Sequence, residues 1–507
     1  MGFDFAMEIN IQHRIKTAKE YMKKKDYINA VPYLQSILEY RRLLFNETLF
    51  IESSKKYKQK KRNLDAIQVL ENGLQFYPNS QKMNQELIKL FLLLKKWNKA
   101  YHLIRNKQRE IRGINVANVY FQLGTAFMNL GQFNQAESIL MEGIKKYPQN
   151  NKLPLEYAKI AMKKMNWSEA EDRWKKFCES LGDKIPADVY LGRSITNQIL
   201  GNNRLAESLF HEYLNKRKNI NPQKDYKKVI LYDNGESRIE FYKKLHPSNT
   251  VLLTFDSINM VWHEDPFGFK FLLNQGVDII ALRRRSKENN HQDLSREEYL
   301  QTVHSLVNTY KKKKAYGFSL GGYTSLYYGA GLNCEILSLS PRLPVHPFYG
   351  DTPISVAEFK HSLSHPKKPE ITPHIIYDPK NKIDQRYVEE ELMVSYPNAI
   401  LHKCPYAGHR TAPFFHQMGV LKELVKNFLN ENELLTFDRK LRWKSHQYLR
   451  VLGSECLNRN KSNWALKLAE AALELEPTDE RAAKLKKKVV ERLDSHKKEV
   501  FIAGHQS

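Results

Sequence analysis

Two different patterns of hydrophobic and polar positions divide the chain. Over residues 12–218, a pattern of small, aromatic and helix-ending positions repeats every 34 to 36 residues. A repeat of this length accommodates one pair of helices and the turn between them. The sequence therefore predicts six consecutive helical hairpins in this part of the chain. The clearest marker of the repeat is an alanine, at Ala30, Ala66, Ala100, Ala136, Ala170 and Ala206.

The residues around each alanine indicate how the two helices of a hairpin pack. A small residue lets the helices approach closely, an aromatic ring fills the groove between them, and a proline ends the second helix. The aromatic rings come three positions before the alanine, at Tyr27, Trp97, Phe133 and Trp167. Glycines come seven positions after it and prolines twelve positions after it, at Gly73, Gly143, Pro78 and Pro148.

This pattern resembles the tetratricopeptide repeat (TPR). The best copy, residues 120–150, has the expected small, apolar and terminating residues at Leu123, Gly124, Gly131, Ala136, Gly143 and Pro148. The resemblance implies an all-α TPR-like solenoid over residues 1–220. Solenoids of this kind usually present a concave surface to a partner.

A further copy of the pattern comes near the end of the chain. Ala472 and Pro477 follow Ala465 at the same offsets of seven and twelve residues. We therefore predict a C-terminal TPR-like hairpin and a final helix within residues 435–507. The sequence leaves open whether these helices extend the solenoid or cap its end.

Residues 225–430 show the second pattern, in which short apolar runs alternate with amphipathic stretches. Such alternation is typical of a mostly parallel sheet with helices on both faces. Residues 341–370, rich in proline and histidine, interrupt it, and we interpret them as an insertion or cap near a binding site. The predicted strands are 227–233, 237–242, 250–256, 277–283, 314–319, 334–340, 373–378 and 399–404.

The candidate chemistry centres on Ser319. This serine lies in the sequence GFSLGG, residues 317–322, directly after a predicted strand and directly before a predicted helix. Glycines on both sides permit the sharp strand-to-helix turn that presents a nucleophile. The N–H of Leu320, at the helix N-terminus, is a candidate hydrogen-bond donor to an oxyanion. The alternative is an inert serine in a tight turn.

A nucleophilic serine needs a base. We predict that His409 is this base, because it follows the last predicted strand and precedes the last helix of the segment. Other histidines nearby lie within strand or helix patterns, where a packed or solvated imidazole is the ordinary expectation. They are His374, His402 and His416.

A third residue should orient the base, and two aspartates are candidates. Asp384 lies in the loop before a helix, where its ordinary role is that of an N-cap. Asp378 closes the preceding strand and comes just before a proline, so it can simply organise a turn. We favour Asp384 and keep Asp378 as the alternative acid.

Residues 225–430 resemble a single α/β-hydrolase domain, on the elbow GFSLGG and the chain order Ser, Asp, His. The resemblance implies a Ser319–Asp384–His409 triad. It departs from the common pattern after the third strand, where the chain reads LLTFDSINM rather than an HG-type motif. The second oxyanion donor would then be a backbone N–H near Asp256 or Ser257. The segment also resembles, weakly, the α/β-hydrolase-type O-acetyltransferases of bacterial capsule synthesis.

The charge of the chain is concentrated in the repeats. The net charge is +25, and residues 1–220 carry 38 basic against 22 acidic residues. Residues 221–430 carry 27 against 22, and residues 431–507 carry 16 against 12. This distribution favours an anionic glycan or a protein as the partner of the repeats, with a membrane surface as a further option. No nucleic-acid-binding motif is present, so basicity alone does not predict a nucleic-acid partner.

Three arginines after the fourth strand are candidate substrate ligands. Arg283, Arg284 and Arg285 are expected at the carboxyl edge of the sheet, where ligands bind in open α/β sheets. There they would meet a phosphate or carboxylate group. The alternative is a solvated loop.

Cysteine usage and apolar runs predict the compartment. The four cysteines are far apart, which argues against a disulfide framework or a zinc site. No secretory signal is evident, and no apolar run approaches the roughly 18 residues that span a bilayer. We therefore expect a cytoplasmic protein, or one peripheral to the inner face of a membrane, with no bound cofactor or metal.

Three function hypotheses follow. The first is a serine-triad esterase or O-acyltransferase that acts on a large anionic glycan or glycoconjugate recruited by the repeats. Acetyl-CoA or another acyl donor would be its co-substrate if it transfers. The second is a non-catalytic TPR scaffold with an inactive hydrolase domain. The third is a lipid esterase peripheral to an anionic membrane.

Overall fold

Consecutive helices form hairpins along the first part of the chain. The computed structural model describes residues 2–38, 47–107, 116–181, 185–217, 226–363 and 371–504. Within these ranges, each odd-numbered helix up to α11 packs against the helix that follows it. The helices are α1 Gly2–Lys23, α2 Tyr27–Leu38, α3 Glu47–Gln59, α4 Asn63–Phe76, α5 Gln81–Leu93, α6 Trp97–Asn106, α7 Val116–Asn129, α8 Phe133–Lys146, α9 Lys152–Lys163, α10 Trp167–Leu181, α11 Ala187–Ile199 and α12 Asn203–Lys216.

The marker alanines lie where the two helices of a hairpin meet. All six are buried, and each is the fourth residue of the second helix of its hairpin. Space is equally limited at Gly124, where an added Cβ would lie 2.4 Å from Leu140. The 35-residue period therefore reflects close helix packing, and α1–α12 form six helical hairpins within the described residues.

The chain divides into two compact units, Met1–Lys184 and Ile185–Ser507. The first unit contains α1–α10, and buried residues of successive hairpins, such as Leu70, Leu87 and Leu123, share one continuous core. The sixth hairpin, α11 and α12, belongs to the second unit. Its Gln198 Nε2 donates to Thr309 Oγ1 at 3.1 Å. The boundary predicted between 220 and 225 lies outside the described residues.

One eight-stranded sheet forms the centre of the second unit. Its strand order is β1-β2-β4-β3-β5-β6-β7-β8. The β1–β2 and β2–β4 pairs are antiparallel, and every pair from β4–β3 to β7–β8 is parallel. All eight predicted strands are present, with ends that differ by at most two residues. They are β1 Tyr226–Asp233, β2 Ser237–Lys244, β3 Thr250–Phe255, β4 Asp278–Arg284, β5 Lys312–Phe318, β6 Glu335–Leu339, β7 His374–Tyr377 and β8 Ile400–Lys403.

Helices cover both faces of this sheet, as the alternation predicts. Leu252 and Phe255 of β3 point to opposite faces because side chains alternate along a strand. Leu252 shares a core cluster with Leu424 of α19. The Phe255 ring lies 6.3 Å from that of Tyr299 in α14. The helices are α13 Phe269–Leu272, α14 Arg296–Val307, α15 Leu320–Gly329, α16 Lys382–Tyr387, α17 Met393–Ser395, α18 Thr411–Gln417 and α19 Leu421–Leu429.

The C-terminal helices pack on the sheet and its helices. They are α20 His446–Asn458, α21 Ser462–Leu475 and α22 Glu480–Gly504. Tyr448 of α20 and Leu468 of α21 belong to the core cluster that contains Phe415 of α18. This answers what the sequence leaves open: the C-terminal hairpin is part of the second unit and buries apolar surface against it.

Residues 341–363 lead away from the end of β6 and contact α14 and α15. The Tyr323 hydroxyl donates to the carbonyl of His361, and the His361 ring Nε2 lies 3.0 Å from the carbonyl of Leu294. The His361 ring also stacks on Tyr327 at 4.4 Å. Residues 364–370 of the predicted insertion lie outside the described residues, and its role as a cap stays a prediction.

His361 should make the second unit sensitive to acid. Burial lowers the pKa of His361 to about 4, against an ordinary value of 6.5. The unfolded chain therefore binds this proton first, and the folded state loses stability as the pH falls from about 6.5 to about 4. Protonation of His361 should lower the free energy of unfolding by at most about 3 kcal/mol. Urea unfolding at several pH values should show a shallower pH dependence for His361→Gln than for the unaltered protein.

The matched control is His211→Gln, on the exposed side of α12. It replaces an imidazole that is not buried and so controls for the substitution itself. An unchanged slope in His361→Gln would show that this imidazole is not the group that titrates.

Candidate functional site

A strained turn between β5 and α15 holds Ser319. Its φ of 55° and ψ of −116° lie in a region that residues other than glycine rarely adopt. Backbone hydrogen bonds fix the turn, since the Ser319 N–H donates to the carbonyl of Leu339 at 2.9 Å and the Arg342 N–H donates to the carbonyl of Ser319 at 3.1 Å. The strand-to-helix turn that the glycines predict is present.

The glycines of the motif are required by close backbone approach. A Cβ on Gly317 would lie 2.0 Å from the Gly321 carbonyl oxygen, and one on Gly321 would lie 2.4 Å from the Phe255 carbonyl oxygen. A Cβ on Gly322 would lie 2.8 Å from the Leu339 carbonyl oxygen. Gly317 is thus needed for the turn itself, and the two later glycines let α15 approach the ends of β3 and β6.

Three side chains from distant parts of the chain form a hydrogen-bonded series. Ser319 Oγ lies 3.0 Å from His409 Nε2. His409 Nδ1 lies 2.9 Å and 3.0 Å from the two carboxylate oxygens of Asp384. Asp384 is buried at the start of α16, and His409 is half-buried in the loop between β8 and α18. This is the arrangement of a nucleophile, a base and an orienting acid.

Asp378, the alternative acid, has a different set of partners. Its buried carboxylate accepts hydrogen bonds from the backbone N–H groups of Lys380, Tyr406 and Gly408 at 2.7 to 3.0 Å. Burial raises the pKa of Asp378, although these three N–H groups act in the opposite direction. Asp378 therefore organises the loop that carries His409, and Asp384 is the aspartate that contacts the imidazole.

One of the two predicted oxyanion donors, Leu320, directly follows the serine. Leu320 is the first residue of α15, so its N–H has no acceptor within the helix. A Cβ added at Gly321 would lie 2.4 Å from the Phe255 carbonyl oxygen and 3.2 Å from that of Asp256, so the end of β3 lies close to this turn, and Ser257 is the next residue of the chain. The Ser257 carbonyl accepts from Arg284 Nη2 at 2.8 Å, which fixes this loop. The donor roles of Leu320 and Ser257 stay predictions.

Arg283 is not available to a substrate, which corrects the sequence expectation. Its guanidinium is buried, because β4 lies inside the sheet between β2 and β3. Nε donates to Asp256 at 2.7 Å, and Nη2 donates to the carbonyls of Val261 and Glu264. The side chain stabilises the loop after β3. Burial raises the pKa of Asp256 to about 6 despite this arginine.

Arg284 is likewise buried and binds the loops after β3 and β4, so its predicted substrate role is also wrong. Its guanidinium donates to five backbone carbonyls, those of Ser257, Ile258, Met260, Lys287 and Asn289. Arg285 is exposed and lies 3.5 Å from Glu236, at the turn between β1 and β2. Its role in binding a substrate stays a prediction.

The sequence reasoning missed Arg342. Its guanidinium is mostly buried, with Nη1 at 3.5 Å from Asp384 Oδ1, and it also pairs with the exposed Asp351. Arg342 follows β6, the strand next to β5, at the carboxyl edge of the sheet. Its position, a basic residue just after the strand that neighbours β5, is a sequence signal by which Arg342 could have been found.

Other features of the described residues bear on the expected compartment and cofactors. None of the described helices is both long enough and apolar enough to span a bilayer. Across the same residues, no cluster of three or more histidine, cysteine, aspartate or glutamate side chains suits a metal ion. The four cysteines, all within the described residues, are not joined by disulfide bonds.

Comparisons with known proteins find similarity in structure only. No protein-family model and no curated protein matches the sequence. Similar solved structures include YrrB, described as a TPR protein with an unusual peptide-binding site, at 13% identity over 36% of this chain and 91% of that chain, with a TM-score of 0.28. PilW, a type IV pilus biogenesis factor, matches at 20% identity over 40% of this chain and 91% of that chain, with a TM-score of 0.25.

A third example is a tetratricopeptide repeat protein from Parabacteroides merdae. It matches at 14% identity over 41% of this chain and 81% of that chain, with a TM-score of 0.25. These structural neighbours are TPR proteins that cover little more than a third of the chain. Because the TM-scores are low, the evidence for the helical repeats is the packing of the helix pairs in this chain.

Replacing Gly321 by alanine tests the close approach of α15 to β3. The added methyl group would meet backbone oxygen atoms of Phe255 and Asp256, which cannot move aside as a side chain can. We expect Gly321→Ala to lower the free energy of unfolding by about 2 to 3 kcal/mol in urea titrations. Gly235→Ala is the control, because nothing lies within 4 Å of that Cβ and only its φ of +88° is strained. Equal losses in the two variants would contradict the packing argument.

The two aspartates should respond differently to replacement by asparagine. Asp384→Asn removes the acceptor at His409 Nδ1, and turnover of an activated ester should fall by about 10³- to 10⁴-fold. Asp378→Asn leaves that contact but loses an acceptor for backbone N–H groups. The free energy of unfolding should fall by about 1 to 3 kcal/mol, and ester turnover should fall less than in Asp384→Asn. Ester kinetics and thermal unfolding of both variants measure this. Full activity in Asp384→Asn together with none in a folded Asp378→Asn would reverse the assignment.

Proposed function

We propose that the second unit is a serine-triad acyl-transfer enzyme of the α/β-hydrolase kind. The observation that supports this most strongly is the continuous series Ser319–His409–Asp384, with hydrogen-bond distances of 2.9 to 3.0 Å, on a strained strand-to-helix turn. A strained backbone is retained where the surroundings enforce it, most often at functional sites. An inert serine in a tight turn requires neither the base nor the acid.

The proposed reaction proceeds through an acyl-serine. His409 Nε2 takes the hydroxyl proton as Ser319 Oγ forms a bond to the carbonyl carbon of an ester or thioester. Asp384 orients the imidazole and stabilises its positive form. Backbone N–H groups, including that of Leu320, stabilise the tetrahedral oxyanion. The C–O or C–S bond then breaks, and His409 returns the proton to the leaving group.

The second half-reaction distinguishes an esterase from an acyltransferase. His409 removes a proton from water or from an acceptor hydroxyl as its oxygen attacks the acyl carbon. The bond from the acyl carbon to Ser319 Oγ then breaks, and His409 returns the proton to Ser319 Oγ. The triad is the same in both cases, so it does not select the acceptor. A transferase would use acetyl-CoA or another acyl donor as co-substrate. The charge of residues 1–220, 38 basic against 22 acidic, supports an anionic glycan or glycoconjugate as the acceptor.

The second candidate function is a protein-interaction scaffold. The TPR nature of the structural neighbours favours this role for the helical repeats, and one of those neighbours is described as having a peptide-binding site. Binding of a protein by the first unit and catalysis by the second are compatible. The scaffold role excludes the enzyme role only if Ser319 does not react.

Active-site labelling separates the two candidates. A fluorophosphonate probe should attach covalently to Ser319 in the full chain, and Ser319→Ala should not be labelled. Mass spectrometry of the labelled peptide identifies the site. Absence of labelling in the folded, unaltered protein would contradict the enzyme proposal and leave the scaffold.

Acceptor choice is measured on the same protein. An aryl acetate or acetyl-CoA is supplied with and without a uronate-containing polysaccharide, and both free acetate and glycan-bound acetate are quantified. A neutral dextran is the control acceptor. Transfer to the anionic polysaccharide that weakens with salt supports the glycan proposal, whereas release of acetate alone supports an esterase.

A further inference from the structure

The loop that carries His409 has no regular secondary structure, so its backbone needs other hydrogen-bond partners. It runs from the end of β8 to the start of α18. Tyr406 and Gly408 adopt positive φ values of 66° and 67°. Its N–H groups at these two positions are bound by the carboxylate of Asp378. Of the carbonyl groups on either side of His409, that of Arg410 accepts from the Phe414 N–H at 3.0 Å, and that of Ala407 needs a donor from outside the loop.

Gln447 supplies that donor. It is the second residue of α20, in the C-terminal hairpin, and only 3% of it is exposed. Its side-chain Nε2 donates to the carbonyl of Ala407 and, at 2.9 Å, to the carbonyl of Arg410. These two carbonyls lie two residues before His409 and one residue after it. One amide group therefore bridges the loop across the residue that faces Ser319.

The His409 loop also packs against α20. A Cβ added at Gly408 would lie only 3.3 Å from Cγ2 of Val451, which comes one helical turn after Gln447. The start of α20 is held in place by Ser445, whose hydroxyl accepts from the Tyr448 N–H and donates to Gln417 Oε1 at 2.5 Å. Gln417 ends α18, the helix that directly follows the His409 loop. The N-terminus of α20 is thus fixed to the same segment that it stabilises.

We propose that Gln447 is a positioning residue for His409 and that the C-terminal hairpin is a necessary part of the acyl-transfer site. The carboxylate of Asp378 binds the N–H groups of the loop, and the amide of Gln447 binds its carbonyl groups. A loop held through both kinds of backbone group keeps the imidazole between Ser319 and Asp384. This inference rests on the proposed function for its catalytic consequence, but the effect on the loop itself is measurable without activity.

The test uses the full-length chain and two replacements of Gln447. Gln447→Met keeps the length of the side chain and removes the N–H donors, and Gln447→Ala removes both. The rate constant for fluorophosphonate labelling at saturating probe should fall at least about 10-fold in both variants, with the probe concentration for half-maximal rate unchanged. Hydrogen–deuterium exchange at the Tyr406 and Gly408 amides should become faster.

Asp479→Ala is the matched control. Asp479 caps the N-terminus of α22 and lies 2.7 Å from His446 Nδ1, so its loss destabilises the C-terminal helices without removing a contact to the His409 loop. We expect a lower melting temperature, with the labelling rate and the exchange of the loop amides unchanged. A general loosening of the helices would instead slow labelling in this variant too, and that result would overturn the assignment to Gln447.

The outcomes separate this inference from the proposed function. If the unaltered protein is not labelled, the enzyme proposal fails, and exchange at Tyr406 and Gly408 still decides whether Gln447 fixes the loop. If the unaltered protein is labelled and Gln447→Met reacts at the same rate with unchanged exchange, the positioning role is wrong. Gln447→Met also answers the question if Gln447→Ala fails to fold.

Discussion

The hydrogen bond between Ser319 Oγ and His409 Nε2 joins residues 90 positions apart, and much of the second unit serves to keep these two atoms 3.0 Å apart. Ser319 is fixed by a strained turn, whose conformation is enforced by backbone contacts at Gly317, Gly321 and Gly322. His409 lies in an irregular loop, which by itself has no such rigidity. The position of the imidazole therefore depends on side chains outside the loop.

The parts of the fold that follow a periodic pattern of residues were predictable from the sequence. The alanine repeat follows from helix packing, in which a side chain larger than a methyl group would separate the helices. The eight strands follow from alternation of apolar runs. Ser319 and His409 were also predictable, because each lies between a strand and a helix, and the first carries flanking glycines. These features are local in the sequence, so they do not depend on which distant segment packs against them.

The remaining features depend on contacts between distant segments. Arg283 and Arg284 follow one another at the end of a strand, where the sequence gives no sign of whether they face a ligand or a loop. The structure shows that backbone carbonyls of the neighbouring loop accept hydrogen bonds from both guanidinium groups. For the same reason, the sequence leaves open which part of the second unit α20 packs against. Apolar faces on a hairpin show that it packs, but not what it packs against.

A single physical constraint accounts for Arg284, Asp378 and Gln447. His409 comes from an irregular loop at the end of the sheet, and the polar groups of a buried irregular backbone need partners. A cationic or amide donor binds carbonyls, as Arg284 does after β3 and Gln447 does around His409. A carboxylate binds N–H groups, as Asp378 does. These side chains recognise backbone atoms, which every residue has, so no residue type in the loop has to match them. Buried polar side chains that bind loop backbone are therefore the ones that a motif cannot reveal, although the geometry of the triad depends on them.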